Sequence, residues 1–219
     1  MTFSLIARCE ATGMLGGVVA TSSPAVGSRC LFTRAGVGAV LTQFWTDPRM
    51  GPRGLSLLAE GLPAAYVANA LAASTPDHDW RQLAVVDAQG RTGFFHGTRV
   101  KGAMAAAQGP ECVAIGNILA NDKVPAAMVD AFLDPGSLPE RLLRALEAGL
   151  AAGGESKPLM SAAMQISNQA SFPYIDLRID VSDEPIAGLR SAWEAFAPHA
   201  DMITGRAIAP RGMPQGSLA

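Results

Sequence analysis

The sequence lacks an excess of charge of either sign. Among its 219 residues, 17 are basic and 19 are acidic, which gives a formal net charge of −2. It also lacks a basic run interleaved with aromatic residues, the pattern typical of a nucleic-acid-binding surface. We therefore expect no nucleic-acid partner.

Long hydrophobic runs are missing as well. No apolar stretch reaches the roughly 18 residues that a membrane-spanning helix needs. The first residues do not show the basic region and apolar region of a signal peptide. These two absences predict a cytoplasmic protein with no membrane partner.

Cysteine and histidine are scarce, with three of each. The cysteines are far apart and the histidines form no spaced ligand motif, so we expect no metal and no cofactor. We interpret the cysteines as buried free thiols. The motif Gly-x-Ser-x-Gly is also absent, which leaves the usual nucleophile elbow of serine hydrolases without support.

Hydrophobic residues are plentiful at 49%, whereas charged residues make up only 16%. This balance fits one large globular domain, which we place at residues 1–205. The remaining residues, 206–219, are rich in Gly and Pro and are expected to form a C-terminal tail. The apolar helices and the low charge fraction favour a homo-oligomer.

The hydrophobic pattern predicts strands and helices in alternating groups rather than singly. Strands are expected at 2–8, 17–22, 26–32, 36–43, 83–87, 92–96, 112–119, 161–167 and 174–181, and helices at 55–61, 63–73, 125–133, 138–151 and from 185 onward. This order disfavours a doubly wound parallel sheet. It favours an α+β fold with two mainly antiparallel sheets whose outer faces are covered by helices.

Thr2 stands directly after Met1 and opens the first predicted strand. An N-terminal threonine with a free α-amine can use that amine as its own general base, because the amine has an unperturbed pKa of roughly 7.7–8.0. Thr2 is therefore a candidate nucleophile, provided that Met1 is removed. The alternative is that Thr2 merely begins a β-strand.

A nucleophile of this kind needs partners that stabilise charge. Backbone N–H groups at Gly36 and Gly38 are candidates for the oxyanion hole. Arg29, Arg34 and Lys101 are candidate cations, and an arginine would act through its field and hydrogen bonds rather than by proton transfer. Asn117 could hold a substrate amide or orient the nucleophile; alternatively, it is a strand-end residue that tolerates a left-handed conformation.

Six segments spread over nearly the whole chain form one pattern. They are TFS at 2–4, AGVGAVLTQ at 35–43, GPRGL at 51–55, RQLAVVD at 81–87, GNIL at 116–119 and DLRID at 176–180. Together and in this order, they resemble the bacterial domain of unknown function 1028 family.

The resemblance implies a fold like that of the N-terminal-nucleophile (Ntn) hydrolases, the four-layer αββα sandwich that proteasome subunits also use. In that class the N-terminal residue is the nucleophile, and a cation on an early strand and glycine N–H groups support it. The matching positions are Thr2, Arg29 or Arg34, and Gly36 or Gly38. Arginine stands where the proteasome type has lysine.

These observations lead to two functions of different class. The first is an amidohydrolase or peptidase that cleaves an amide bond in a small molecule or peptide, with Thr2 as nucleophile. The second is a non-catalytic relative that binds a ligand in the same glycine-lined cleft or serves as an oligomeric protein. Hydrolysis at a different site, built around His96 or Asn117, is a third hypothesis.

Overall fold

Ten strands and six α-helices make up the part of the chain that the computed structural model describes, residues 1–212. The strands are β1 Thr2–Arg8, β2 Leu15–Thr21, β3 Leu31–Arg34, β4 Gly38–Phe44, β5 Arg81–Asp87, β6 Thr92–His96, β7 Ala103–Gly109, β8 Cys112–Leu119, β9 Ser161–Ser167 and β10 Ile175–Ile179. The helices are α1 Met50–Ala59, α2 Ala64–Ala73, α3 Val124–Leu133, α4 Leu138–Ala151, α5 Pro185–Phe196 and α6 Ala200–Ile208.

The strands form two antiparallel sheets. The larger sheet has the order β10-β9-β2-β1-β8-β7, and the smaller has the order β3-β4-β5-β6. β1 therefore lies in the middle of the larger sheet, between β2 and β8. A strand in this position is covered on both faces, and the apolar side chains of β1, those of Phe3, Leu5, Ile6 and Ala7, are accordingly all fully buried.

Helices cover the outer face of each sheet, and the two inner faces pack on one another. α3, α4 and α5 lie on the larger sheet, whereas α1 and α2 lie on the smaller one. The layer between the sheets contains Ile6, Val19, Leu41, Val86 and Ile115, all fully buried. The predicted α+β class and the four-layer αββα order are thus confirmed.

Alternation along β1 divides its side chains between two of these layers. Phe3 and Leu5 point to the helices of the outer layer, where they join a core that includes Met128 and Leu142. Ile6 points to the smaller sheet. Because successive side chains of a strand alternate in direction, Thr2 and Ser4 share the face of Ile6.

Some elements differ from the sequence prediction. Residues 26–28 form a short 3-10 turn instead of continuing a strand, and helix α1 begins at Met50, five residues before the predicted start at 55. Gly51 explains this early start, because a Cβ atom there would lie 2.2 Å from the ring of Phe32. Gly51, which in the sequence is typical of a loop, is needed here for close packing of α1 on β3.

Two further elements had no prediction. β7 consists largely of alanine, whose strand propensity is low, and it is held at the sheet edge by pairing with β8. α6 extends to Ile208 and a 3-10 turn occupies Pro210–Gly212, within the segment predicted as a tail. The rest of that predicted tail, 213–219, lies outside the described residues.

Across residues 1–212, none of the helices combines the length and apolar character that a membrane crossing would need.

Candidate functional site

Thr2 is placed at the start of β1, where it is 5% exposed. In the register of β1 with β8, Thr2 is the partner of Asn117. The backbone N–H of Arg8 donates to the Glu111 carbonyl at 2.9 Å across these strands, and hydrogen-bonded pairs recur at every second residue. The backbone nitrogen of Thr2 is therefore directed at the carbonyl of Asn117.

Met1 covers the hydroxyl of Thr2. The Oγ1 atoms of Thr2 and Thr21 both donate to the Met1 carbonyl oxygen, and these two hydroxyl oxygens lie 3.3 Å apart. The Met1 sulfur also accepts a hydrogen bond from Ser156 Oγ at 3.5 Å. Loss of Met1 would remove the acceptor that now occupies both hydroxyl groups.

A buried carboxylate lies beside the N-terminus. Glu155, which follows α4, is 8% exposed and accepts hydrogen bonds from the backbone N–H of Ser22 at 3.1 and 3.2 Å. Burial raises the pKa of Glu155 above its ordinary value, although the Met1 ammonium and the bonds from Ser22 act against that shift. Burial likewise lowers the pKa of the Met1 α-amine below 8.0, and Glu155 opposes this change. The site thus makes protonation of this amine less favourable than it is in water.

Arg29 lies close enough to lower the pKa of the same amine through its charge. Its guanidinium donates to the carbonyls of Pro24 at 2.6 Å and Ala25 at 2.8 Å, and to Ser23 Oγ at 2.7 Å. These bonds hold the positive charge on the loop between β2 and β3. Arg29 therefore contributes a fixed field at the N-terminus.

Behind Thr2, four fully buried polar side chains connect the two sheets. Ser4 Oγ donates to Gln43 Oε1 at 2.8 Å, and Gln43 Nε2 donates to Gln82 Oε1 at 2.6 Å. Gln82 Oε1 also accepts from Asn117 Nδ2 at 2.8 Å. We call these residues, Ser4, Gln43, Gln82 and Asn117, the amide network.

One backbone carbonyl fixes the direction of every bond in the amide network. Gln82 Nε2 donates to the Gly116 carbonyl at 2.8 Å, and a carbonyl can only accept. Gln82 must therefore present its oxygen to Gln43 and Asn117, so both of these present their amide nitrogens. Asn117 Oδ1 is then left pointing away, and it has no hydrogen-bond partner within residues 1–212.

His96 is attached to the same network. Its Nε2 lies 3.1 Å from Gln82 Nε2, and a nitrogen that faces an amide N–H must accept. The ring proton is therefore on Nδ1. Burial lowers the pKa of His96, in agreement with a neutral ring that accepts at Nε2. His96 and Asn117, the residues of the third hypothesis, thus converge on Gln82.

Left-handed backbone conformations occur at three non-glycine residues around this site. Ile118, next to Asn117, has φ 51°, Phe44, next to Gln43, has φ 71°, and Ala25 has φ 53°. Positive φ is a genuine outlier for a β-branched residue, and such strain clusters at functional sites. The left-handed residue at the end of β8 is Ile118 and not Asn117.

The structure does not bring Arg34, Gly36 and Gly38 to Thr2. Gly38 pairs with Asp87 at one end of β4, whereas Gln43 of the amide network lies five residues further along. At about 3.3 Å per residue, this separation is about 16 Å. Gly36 lies in the turn between β3 and β4, and Arg34 lies at the end of β3 that adjoins that turn. Of the sequence candidates, Thr2, Arg29 and Asn117 gather at the N-terminus.

Sequence reasoning missed several residues of the site. Glu155 and Thr21 border the N-terminus, and the buried thiol of Cys30 lies near the Met1 amine. Glu155 follows two glycines with positive φ after α4, which is a helix-end signal and not a functional one. Gln82 lies in a strand whose pattern predicts an apolar core strand. Arg81 and Asp87 of that strand are also polar, so polarity alone did not distinguish Gln82 from them.

The described part of the chain contains no group of three or more His, Cys, Asp or Glu side chains that could hold a metal ion. All three cysteines are buried and free, as the sequence predicted.

Comparison with known proteins identifies relatives over most of the chain. The model of a family of unknown function, DUF1028, matches residues 2–189. The crystal structure of a DUF1028 protein from Silicibacter pomeroyi has a TM-score of 0.84 and 30% sequence identity, covering 90% of this chain and 86% of its own. No curated protein gives a significant match.

A more distant similarity is found to Anbu (ancestral beta-subunit) from Yersinia bercovieri. Its TM-score is 0.42 and its sequence identity 15%, over 90% of this chain and 95% of its own. A likeness of this size carries no functional information.

Proposed function

The chain belongs to the DUF1028 family of unknown function, and from this premise we propose that it is an amide hydrolase whose nucleophile is the hydroxyl of Thr2. The nucleophile would be released when the bond between Met1 and Thr2 is cleaved. One observation carries the proposal: the hydroxyl of Thr2 is held at a buried N-terminus beside the Glu155 carboxylate and the Arg29 guanidinium, and its strand partner Asn117 has an amide oxygen without a partner among residues 1–212.

Cleavage after Met1 would produce both groups that the reaction needs. Thr2 Oγ1 would lose the Met1 carbonyl to which it now donates. The backbone nitrogen of Thr2 would become a primary amine next to the Asn117 carbonyl. In a buried setting the neutral form of an amine is favoured, and the neutral amine is the form that can accept a proton.

The proposed reaction has two steps. In the first, Oγ1 attacks the carbonyl carbon of the amide while its proton passes to the α-amine, which then protonates the nitrogen that leaves as the C–N bond breaks. In the second, water attacks the resulting ester, gives one proton through the same amine to Oγ1, and releases the carboxylic acid. The net reaction consumes one water for each amide bond.

Arg29 and Asn117 have supporting roles in this proposal. The fixed charge of Arg29 would disfavour protonation of the amine. More of the amine would then be in the neutral form, which can accept a proton. The Asn117 oxygen, whose direction the amide network fixes, would accept an N–H from the amine or from the substrate. The proposal gives no role to Arg34, Gly36 or Gly38.

Covalent labelling tests the proposal without knowledge of the substrate. The N-terminal residue of protein isolated from its native host is first identified by mass spectrometry, and the protein is then treated with a β-lactone, which acylates an activated hydroxyl. We expect Thr2 at the N-terminus and one acyl group on its Oγ1. Thr2→Ser should keep the label and Thr2→Ala should lose it.

Thr12→Ala is the matched control, since Thr12 is an exposed threonine in the turn after β1. It should be labelled like the wild type. Retention of Met1 in the native protein would contradict the proposal, as would equal labelling of Thr2→Ala.

A second candidate function, a non-catalytic ligand-binding or oligomeric protein, is favoured by the low accessibility of Thr2. Thr2 is 5% exposed and its hydroxyl is occupied by Met1. If Met1 is retained and no hydroxyl is labelled, this candidate replaces the first. Assembly into a homo-oligomer and a cytoplasmic location remain predictions from the sequence.

A further inference from the structure

A cavity of about 440 Å³ lies far from Thr2, between the β3–β4 turn and the segment 168–173 after β9. Ser167, which lines it, pairs with Leu15 at one end of β2, whereas Thr21 of the N-terminal site is at the other end. Thr21 is six positions further along the strand than Leu15, which is about 20 Å. The cavity is therefore a separate site, and a ligand could bind there whatever the role of Thr2.

Arg34 is the one charged side chain that lines this cavity within residues 1–212. Most other arginines are engaged by carboxylates, carbonyls, hydroxyls or an aromatic ring. In the described part of the chain, only Arg34 and Arg211 have side chains without any such partner. The cavity is thus lined by an exposed guanidinium whose five N–H donors have no partner among residues 1–212.

Where Ser167 lines the cavity, the wall presents a hydrogen-bond acceptor. The bonds of Thr33 determine that Ser167 accepts there. The backbone N–H of Thr33 donates to Gln165 Oε1 at 3.0 Å, which fixes the orientation of that amide. The Thr33 hydroxyl, 3.1 Å from the same oxygen, must also donate to it. Ser167 Oγ, 2.7 Å from Thr33 Oγ1, must then donate to Thr33, so its lone pairs remain for a ligand.

The amide nitrogen of Gln165 agrees with this assignment. Its Nε2 donates to the Asp176 carboxylate at 3.2 Å, so the amide oxygen is free to face Thr33. Asp176 is near the cavity but not among the residues that line it. Leu55 and Pro173 add an apolar part to the wall.

We propose that this cavity binds a small carboxylate that carries a hydroxyl or amino group beside its carboxyl group. Arg34 would bind the carboxylate through two parallel N–H bonds, which match its planar shape. Ser167 Oγ would accept the hydrogen bond from the hydroxyl or amino group. The cavity volume lies within the range of about 300–1,000 Å³ of small-molecule sites, which leaves room for a short apolar remainder beside Leu55.

Two probes that differ by a single hydroxyl group test the proposal: glycolate and acetate. Each is titrated into the ¹⁵N-labelled full chain, and binding is measured from the amide shifts of Thr33, Ser167 and Gln169 by NMR. We expect saturable shifts at these residues, and we expect glycolate to bind about fivefold more tightly than acetate, which is the effect of one additional hydrogen bond. Glycerol, which is neutral, should cause no saturable shift.

Variants separate the two contacts. Arg34→Gln should weaken both acids about tenfold, because a bond to a charged group is stronger than a neutral one. Ser167→Ala should weaken glycolate to the level of acetate and leave acetate unchanged. Arg53→Gln is the control for a change in charge, since Arg53 is exposed and bonded to Ser74 outside the cavity; it should bind like the wild type.

Shifts that do not saturate, or that spread over unrelated surface residues, would overturn the proposal. Equal binding of glycolate and acetate would overturn the role of Ser167, and full binding by Arg34→Gln would overturn the role of Arg34. The spectra themselves report whether each variant is folded, so a loss of binding cannot be confused with unfolding.

Discussion

Replacing Gln82 by methionine is the most direct test of the amide network. Gln82 is fully buried, and its side chain makes contacts of 2.6, 2.8, 2.8 and 3.1 Å to Gln43, Asn117, the Gly116 carbonyl and His96. Methionine has nearly the same length and flexibility but no hydrogen-bonding amide. The change therefore removes the polar contacts while it keeps most of the packing.

The cost can be worked out from the groups that are left without a partner. Each buried donor or acceptor that loses its bond costs about 1–3 kcal/mol. Four such groups, the Gln43 and Asn117 amide nitrogens, the Gly116 carbonyl and His96 Nε2, would give an upper limit of about 12 kcal/mol, but side chains relax and the apolar methionine gains from burial. We expect a loss of about 3–5 kcal/mol, which is a large part of the roughly 5–15 kcal/mol that stabilises a typical domain.

Urea unfolding followed by circular dichroism measures this free energy. The control is Gln89→Met, in the exposed turn between β5 and β6, which should change the unfolding free energy by less than about 0.5 kcal/mol. If Gln82→Met is as stable as this control, the amide network does not stabilise the fold and the inferred bond directions have no support.

Three other features of the structure lead to predictions of their own. Because burial lowers the pKa of His96 below 6.5, its NMR titration midpoint should lie under that value. Between the two pKa values the unfolded chain binds a proton that the folded chain does not, so His96 makes stability fall as the pH drops below about 6.5. A midpoint at or above 6.5 would contradict the buried neutral ring. Gly51→Ala should cost about 1–3 kcal/mol in urea unfolding, because the new Cβ would meet the Phe32 ring at 2.2 Å, whereas Ser56→Ala on the exposed side of α1 should be close to neutral; equal stability of the two would refute the packing argument. A thiol reagent should modify Cys9, Cys30 and Cys112 of the folded protein only at the rate of unfolding, since all three are buried and burial raises the pKa of Cys112 to about 11. Fast modification of the native state would contradict this prediction, because it would show an accessible thiol.

The sequence predicted the strands around the N-terminus because their apolar runs reflect burial on both faces. It also predicted that Thr2 begins the first of them, with Asn117 at the end of another. It could not predict where helix α1 begins, because Gly51 and Pro52 are loop signals locally and become helical only when α1 packs on Phe32. β7 was missed for a similar reason, since its alanines form a strand only by pairing with β8.

The site depended even more on tertiary structure. Gln43 and Gln82 are 39 residues apart, and Gln82 and Asn117 are 35 residues apart. Nothing in the local pattern of β5 distinguishes Gln82 from a core residue that happens to be polar. The placement of Arg34 was likewise undetermined. The predicted strand at 26–32 contained Arg29 and ended before Arg34, whereas in the structure Arg29 precedes β3 and Arg34 ends it beside the β3–β4 turn.

By itself, then, the sequence determined the class of fold, the burial of β1 and the identity of the residue that opens it. These features arise from hydrophobic periodicity, which is local and repeats along the chain. The stacking of the two sheets decided which distant polar groups meet: Glu155 at the N-terminus, the amide network behind Thr2, and Arg34 in a cavity of its own. Such meetings depend on the register of strands that are far apart in sequence, and a single buried carbonyl, that of Gly116, then sets the direction of a whole chain of hydrogen bonds.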